Sequence, residues 1–297
     1  MLILFHETMW SHPLPRLETP AGVETTLDRS RLEEADVVVF HLPEWTARKT
    51  LMAVKGALPK RPGQVWVGWS TESEAHYPLA REPSVTRLFD FLATYRQDSD
   101  IPLNYADPHG APEAMFRALR ATPQIAGRQE APIAAFISSD YDLSGRYEYF
   151  VELSKHIEID SYGRKLQNRA LPDDQGRQTK LDLCARYAFT IAFENAIDRD
   201  YVTEKFYDPL WVGSVPIYLG APNVSAFAPG DRSYIDVRDF AGPADLAAHL
   251  RGLMQDRRAY ESHFEWKAAP FRPQFENLVR LSALSLQERI VRRLRDA

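Results

Sequence analysis

The chain has 297 residues, 44% of them hydrophobic and 26% charged, which suits two domains of ordinary size and excludes a disordered chain. Lys and Arg total 36 against 41 Asp and Glu, a formal net charge of -5. That balance argues against a general nucleic-acid binder and leaves open an anionic small ligand held by local basic residues.

Residues 1–5 form a short continuous apolar run, the pattern of a buried strand. The run is too short for a signal-peptide core and no basic stretch precedes it. No segment approaches the roughly 18 apolar residues of a membrane span, so the expectation is a cytoplasmic protein. His6, Glu7, Trp10 and His12 follow the first strand, where polar and aromatic side chains at strand ends can line a binding site but are more often plain loop packing. Residues 31–35 read as helical, 36–41 as a second strand, and 64–69 as a third, entered through the turn Arg61-Pro62-Gly63. Residues 91–95 read as a fourth. Strands alternating with helical stretches predict a parallel sheet covered on both faces.

Periodicity is lost between residues 121 and 132, where Pro123, Gly127 and Pro132 fall. The domain junction is placed there, giving domains of 1–125 and 126–297, with the C-terminal helix able to pack back across the junction. Strands are expected at 133–137, 157–159, 189–193, 215–219 and 234–237, with a helix at 147–155. This is a second Rossmann-like unit, and two such units facing across a cleft would offer ligands the carboxyl ends of their strands. Residues 278–294 read as one amphipathic helix, possessing apolar Leu281, Leu284, Ile290 and Val291 and ending in Arg289, Arg292, Arg293 and Arg295. Packing on a domain is the favoured reading; weak peripheral contact with an anionic membrane surface is the sharper one. The lone cysteine, Cys184, permits no internal disulfide, fits a reducing compartment, and reads as a small core residue.

The chemistry concentrates at residues 193–205, Phe-Glu-Asn-Ala-Ile-Asp-Arg-Asp-Tyr-Val-Thr-Glu-Lys. The segment leaves a strand and enters a helix expected to run to Pro209, with Thr203 as N-cap and Glu204 and Lys205 in the first turn. A helix N-terminus offers free N–H groups to a phosphate, and Lys205 adds a full charge. An ordinary capped surface helix would show the same pattern. Val215-Pro216-Ile217-Tyr218-Leu219-Gly220 follows, with Gly220 ending a strand.

Taken together, Phe193-Glu194-Asn195, Tyr201 to Lys205, Val215 to Gly220 and Ser233 to Phe240 closely resemble the signature region of the alpha-1,3/4-fucosyltransferases, glycosyltransferase family ten. Upstream, Phe136 to Ser139, Arg146, Glu152 to Lys155 and Ile157 to Gly163 are similar to the family's donor-binding half. Pro62 to Gln64, Trp66-Val67, Glu72-Ser73 and Tyr95 to Asp100 are similar to its acceptor half. The resemblance covers residues 36–240 and is stronger in the second half.

It implies a GT-B fold and an inverting alpha-1,3-fucosyltransferase. L-fucose would pass from GDP-beta-L-fucose to a hydroxyl of an N-acetylglucosamine-containing or cell-surface glycan. Arg146 and Lys205 match the basic residues that would face the pyrophosphate, whose negative charge grows as GDP leaves. Ser138, Ser139, Tyr162, Gly163, Glu194, Asn195, Tyr201, Thr203 and Glu204 match positions around the nucleotide sugar. Glu72 matches the carboxylate that would take the acceptor's proton. The family's proline after that Glu-Ser is Glu74 here, which makes Glu74 a second candidate base; Ser139 stands where many relatives have Asn. Asp98-Ser99-Asp100 looks like a metal-binding Asp-x-Asp, but it sits in the acceptor half and reads as structural or interdomain, with metal binding the minority reading. No metal is expected to be obligatory, with Mn or Mg at most stimulatory. The alternatives are a non-catalytic nucleotide-sugar or glycan-binding protein of this fold, or a transferase using another GDP-sugar.

Overall fold

The computed structural model describes residues 1–11, 19–106, 111–121, 131–171 and 173–296. Among these the chain divides into two units, residues 1–104 with 284–297, and residues 105–283.

The first unit holds a five-stranded sheet of β1 (Leu2–Phe5), β2 (Glu24–Thr26), β3 (Val37–His41), β4 (Val65–Ser70) and β5 (Phe91–Thr94), in the order β2-β1-β3-β4-β5. Every pairing is parallel. Alternate residues serve opposite faces. Leu2, Leu4, Val38, Phe40 and Trp66 pack on one side, near α1 (Ala47–Val54) and α2 (Pro83–Thr86). Ile3, Phe5, Val37, Val39, Val67 and Trp69 pack on the other, where Ile290 and Val291 of the last helix, Leu286–Arg295, join them. Burial on both faces is why these strands read as continuous apolar runs.

The second unit repeats the plan with β6 (Ile133–Ala135), β7 (Ile159–Ser161), β8 (Phe189–Phe193), β9 (Val215–Leu219) and β10 (Ile235–Asp236), all parallel, in the order β10-β9-β8-β6-β7. Its helices are α3 (Pro112–Arg120), α4 (Arg146–Ser154), α5 (Arg177–Cys184), α6 (Glu204–Val212), α7 (Pro243–Gln255), α8 (Arg257–Glu261) and α9 (Pro273–Ser282). In both sheets the chain turns one way after the first strand and the other way after the second. Ligands in open parallel sheets favour such a reversal point: the carboxyl ends of β1 and β3, and of β6 and β8.

Several expectations are revised. The junction expected at 125/126 lies outside the described residues, and the contacts divide the chain at 104/105, because α3 sets Met115 and Leu119 into the core of the second unit. The single helix over 278–294 is two, α9 and α10 (Leu286–Arg295), broken where Ser285 and Glu288 form a reciprocal capping box. In α10, Arg289 donates to the carbonyls of Leu284 and Pro102, and Arg293 lies 4.6 Å from the Phe91 ring centre. The helix at 204 runs through Pro209 and closes at Gly213, whose φ of 78° is the left-handed C-cap conformation. Residues 31–35 hold only the end of a short 3-10 turn, Arg29–Arg31. No described helix is long and apolar enough to cross a membrane.

Candidate active site

β8 ends in Phe193, and Glu194 follows it into the second unit's reversal point. Glu194 is fully buried. Its Oε1 accepts the Thr203 N–H at 2.7 Å and its Oε2 accepts the Thr203 hydroxyl at 2.8 Å. These two bonds fold the intervening loop back and set the start of α6 beside the end of β8. Thr203 caps α6 as expected, its Oγ1 accepting from the Lys205 N–H at 3.4 Å.

Lys205 Nζ lies 3.0 Å from Thr203 Oγ1, 3.1 Å from Glu204 Oε1 and 3.5 Å from Glu194 Oε2. Burial works against its charge, but Glu204 and Glu194 outweigh burial and raise its pKa, so the ammonium is permanent at neutral pH. Burial would raise Glu204, yet Lys205 and Lys180 carry it down to about 2. Glu194 stays above the usual carboxylate range because its burial is the larger effect, even with Lys205 beside it. Lys180 escapes a reading of local pattern. It comes from α5, a helix apart in sequence, and bonds Asp208 Oδ2 at 2.8 Å while Arg177 holds Oδ1. The i, i+3 spacing of Arg177 and Lys180 was the one available signal.

Arg146 is the first residue of α4 and is 1% exposed. Its guanidinium donates to the carbonyls of Phe193 at 3.3 Å, Ser139 at 3.1 Å and Tyr141 at 2.8 Å. The Nε–H is buried and unpartnered. Arg146 opposes the charge on Lys205 through space, so the structure brings the two predicted cations into one electrostatic neighbourhood. Asn195 Oδ1 is also buried without a partner. Tyr201 is buried, and its carbonyl accepts from the Tyr218 hydroxyl at 3.4 Å.

The loop after β6 carries Ser138 and Ser139. Ser138 Oγ accepts the Arg164 N–H at 3.2 Å and Ser139 Oγ accepts the Tyr141 N–H at 3.2 Å. Two other predicted positions have internal duties. The Tyr162 hydroxyl bonds that of Tyr187 at 2.6 Å, which in turn donates to Asp160, while its ring stacks on Phe136. At Gly163 a Cβ would lie 2.3 Å from the Ile137 backbone, so close strand approach demands glycine. Gly220 is equally constrained, since a Cβ would meet Tyr218 at 2.4 Å and Glu194 at 2.6 Å.

Glu72 belongs to the first unit, just past β4, in a turn closed by the Ser70 hydroxyl, which accepts the Glu72 N–H at 3.0 Å. Glu74 is held differently: Arg81 Nε binds its Oε2 at 3.0 Å and the Tyr95 hydroxyl accepts its N–H. Asp98 is clasped by Arg96 through both carboxylate oxygens, and Asp100 accepts the Leu92 N–H at 2.8 Å. Among the described residues no group of three or more His, Cys, Asp and Glu side chains is placed to hold a metal. His6 and Glu7 follow β1, Trp10 is exposed, and His12 lies outside the described residues. Cys184 is a buried core residue at the end of α5.

Against known families, residues 126–286 match the C-terminal model of glycosyltransferase family 10 (fucosyltransferase), and residues 2–106 match the N-terminal fucosyltransferase model. The chain belongs to glycosyltransferase family 10. Similar curated proteins include GDP-fucose protein O-fucosyltransferase 3 of Canis lupus familiaris, 37% identical over 71% of this chain and 46% of its own length. The Homo sapiens protein of that name is 35% identical over the same shares. The chain thus spans about half the length of these relatives. Among solved structures, an alpha1,3-fucosyltransferase with GDP-fucose superposes with TM-score 0.59 at 16% identity, covering 87% of this chain and 79% of that one. At that identity the likeness establishes the fold, the GT-B arrangement of Rossmann-like units.

Proposed function

We propose that the chain transfers L-fucose from GDP-beta-L-fucose to an acceptor hydroxyl, with inversion at the anomeric carbon. The observation that carries this is that Arg146, bonded to the Phe193 carbonyl, and Lys205, 3.5 Å from Glu194, both gather where β8 ends, at the reversal point of the second sheet. The Arg146 Nε–H and the Lys205 ammonium would form the cationic seat for a pyrophosphate, the first N–H groups of α4 being already taken by the Asp142 carboxylate. As the bond from fucose to GDP breaks, charge builds on the β-phosphate, and fixed donors stabilise that state more than the ground state. The buried, unpartnered Asn195 Oδ1 would accept from a ribose or fucose hydroxyl.

Glu72 is the proposed base. In a single displacement the acceptor oxygen attacks the anomeric carbon, GDP leaves, and Glu72 takes the hydroxyl proton. The place of Glu72 just past β4, at the carboxyl end of the first sheet, supports this reading. The finer proposal is an alpha-1,3 linkage to an N-acetylglucosamine-containing glycan, made in the cytoplasm. A second reading, a hydroxyl of a protein, is favoured by the name of the relatives at 35–37% identity. Calorimetry with GDP, followed by GDP release assayed with no acceptor, with a glycan panel and with a protein panel, tests all of this. Binding without turnover on any acceptor would make the chain a nucleotide-sugar-binding protein.

A further inference from the structure

We propose that the carboxyl ends of β1, β3 and β4 in the first unit form a binding subsite for a neutral pyranose, with Trp10 as its platform. That this pyranose is the acceptor rests on the transferase reading above; that the subsite exists does not.

Three polar atoms carry the inference. Glu7 Oε2, His41 Nε2 and Trp69 Nε1 are all buried and all without a hydrogen-bond partner. Their residues are 5%, 0% and 4% exposed. An unsatisfied buried polar group is costly, and folded proteins rarely leave one without a reason. Here three lie together, on strands that are neighbours in the sheet, at the point where its connections reverse direction. The rings of His41 and Trp69 are 4.8 Å apart.

The remaining atoms of these groups are fixed, which defines what the free ones do. Glu7 Oε1 is held at 2.6 Å by both His6 Nδ1 and Lys49 Nζ, so Oε2 is a pure acceptor. Burial lowers the pKa of His41, with Glu44 opposing, so the imidazole is neutral at pH 7. Its Nδ1 lies 2.8 Å from Glu44 Oε2, which places the proton on Nδ1 and leaves a lone pair on Nε2. Trp69 supplies one donor. Two acceptors and one donor suit vicinal hydroxyls, each of which can give a proton and take one. Glu7 and Glu44 stand against Lys49 and Arg29, which donates to the His6 carbonyl at 2.7 Å, so the charges balance and no excess charge calls for an ionic sugar.

Trp10 supplies the apolar face. It is 46% exposed, edge-on to the His41 ring at 5.0 Å and 6.0 Å from the Tyr77 ring. Its backbone is left-handed, φ 56° and ψ 44°, a strained conformation for a non-glycine residue. The Trp10 N–H bonded to Glu44 Oε2 at 3.0 Å holds it there. Because the indole lies edge-on to the His41 ring, a rotation of this exposed side chain would open the approach to His41 and present a flat ring to the C–H face of a sugar.

The test is saturation-transfer NMR on the full chain with methyl beta-galactoside, N-acetylglucosamine and methyl alpha-mannoside as probes, alongside GDP calorimetry. At least one sugar should bind wild type. Trp10→Ala, at an exposed site, should fold normally and weaken that sugar about tenfold or more. Glu7→Gln should weaken it as well, and GDP affinity should be unchanged in both. If no probe binds, or if Trp10→Ala binds as wild type does, the subsite is overturned. Loss of GDP binding in wild type would sink the transferase reading instead, leaving the sugar titration to decide the subsite. Transfer to a protein acceptor with an unchanged KM in Trp10→Ala would overturn the acceptor role.

Discussion

Glu194 and Thr203 are joined twice, carboxylate to backbone N–H and carboxylate to hydroxyl, with both side chains out of water. That pair converts the end of a strand and the start of a helix into one rigid seat. Thr203 then turns its oxygen to the Lys205 ammonium at 3.0 Å. A change at Glu194 should therefore act on donor binding without touching the donor. Glu194→Gln leaves one Thr203 donor facing an amide N–H, a loss of about 1–3 kcal/mol. The expected outcome is a lowered Tm together with weaker GDP binding in calorimetry. A lowered Tm with GDP affinity intact would show that the loop is held by other contacts.

Lys205→Ala and Arg146→Ala should each weaken GDP by roughly ten- to a hundredfold, the worth of a charged hydrogen bond to phosphate. The two changes differ in their side effects. Arg146 also ties together Ser139, Tyr141 and Phe193, so its loss should lower Tm, whereas Lys205→Ala should leave Tm closer to wild type. Unchanged GDP affinity in both variants would remove them from the donor site. Because the Lys205 pKa is raised, GDP affinity should show no lysine titration between pH 7 and 9.

Lys267 predicts a pH dependence of the second unit's stability. Burial pushes its ammonium down to about 8, while Nζ donates to the Leu119 carbonyl at 2.7 Å and sits 4.7 Å from the Trp266 ring centre. With the folded pKa below the unfolded one, the unfolded chain holds the proton more tightly. Stability therefore rises as pH climbs from about 8 toward about 10.5, by at most about 3 kcal/mol. Lys267→Met should abolish that rise. Equal slopes of denaturation free energy against pH in the two proteins would refute it.

Transfer should continue in EDTA. Arg146 and Lys205 supply fixed positive charge, and Asp98 is clasped by Arg96. Activity abolished by chelation and restored by Mn would overturn this, whereas mild stimulation by Mn would be compatible.

The sequence made the central strands legible because they are buried on both faces: β8 and β9 fall at 189–193 and 215–219, as their apolar runs indicate. β2 was missed, being three half-exposed residues at a sheet edge. β7 begins at Ile159 rather than at 157, since Ile157 is buried against the core without entering the ladder. The N-cap at Thr203 could be read from residue type and spacing. The Glu7–Lys49 pair, 42 residues apart, could not, because it depends on the β1–β3 pairing that only tertiary structure supplies. The break between α9 and α10 was written in Ser285 and Glu288, a capping signal masked by continuous apolar periodicity.

Glu72 gives the sharpest test of the chemistry. It lies in the first unit, while Arg146 and Lys205 lie in the second, so Glu72→Gln should leave GDP-fucose binding nearly intact. An amide keeps the shape of the side chain but takes no proton. Turnover should therefore fall by roughly a hundredfold to ten-thousandfold, the usual worth of a general base. Glu74→Gln, which breaks the ion pair with Arg81, should do much less to turnover. It should instead lower Tm slightly, by the little that a half-exposed ion pair contributes. A drop in turnover matched by lost donor affinity would point to a folding defect. If Glu72→Gln transfers at the wild-type rate and Glu74→Gln is inactive, the base is Glu74. Arg81 would then have to release it in the reacting complex, and Arg81→Ala should alter the pH profile of turnover while Glu72 substitutions do not.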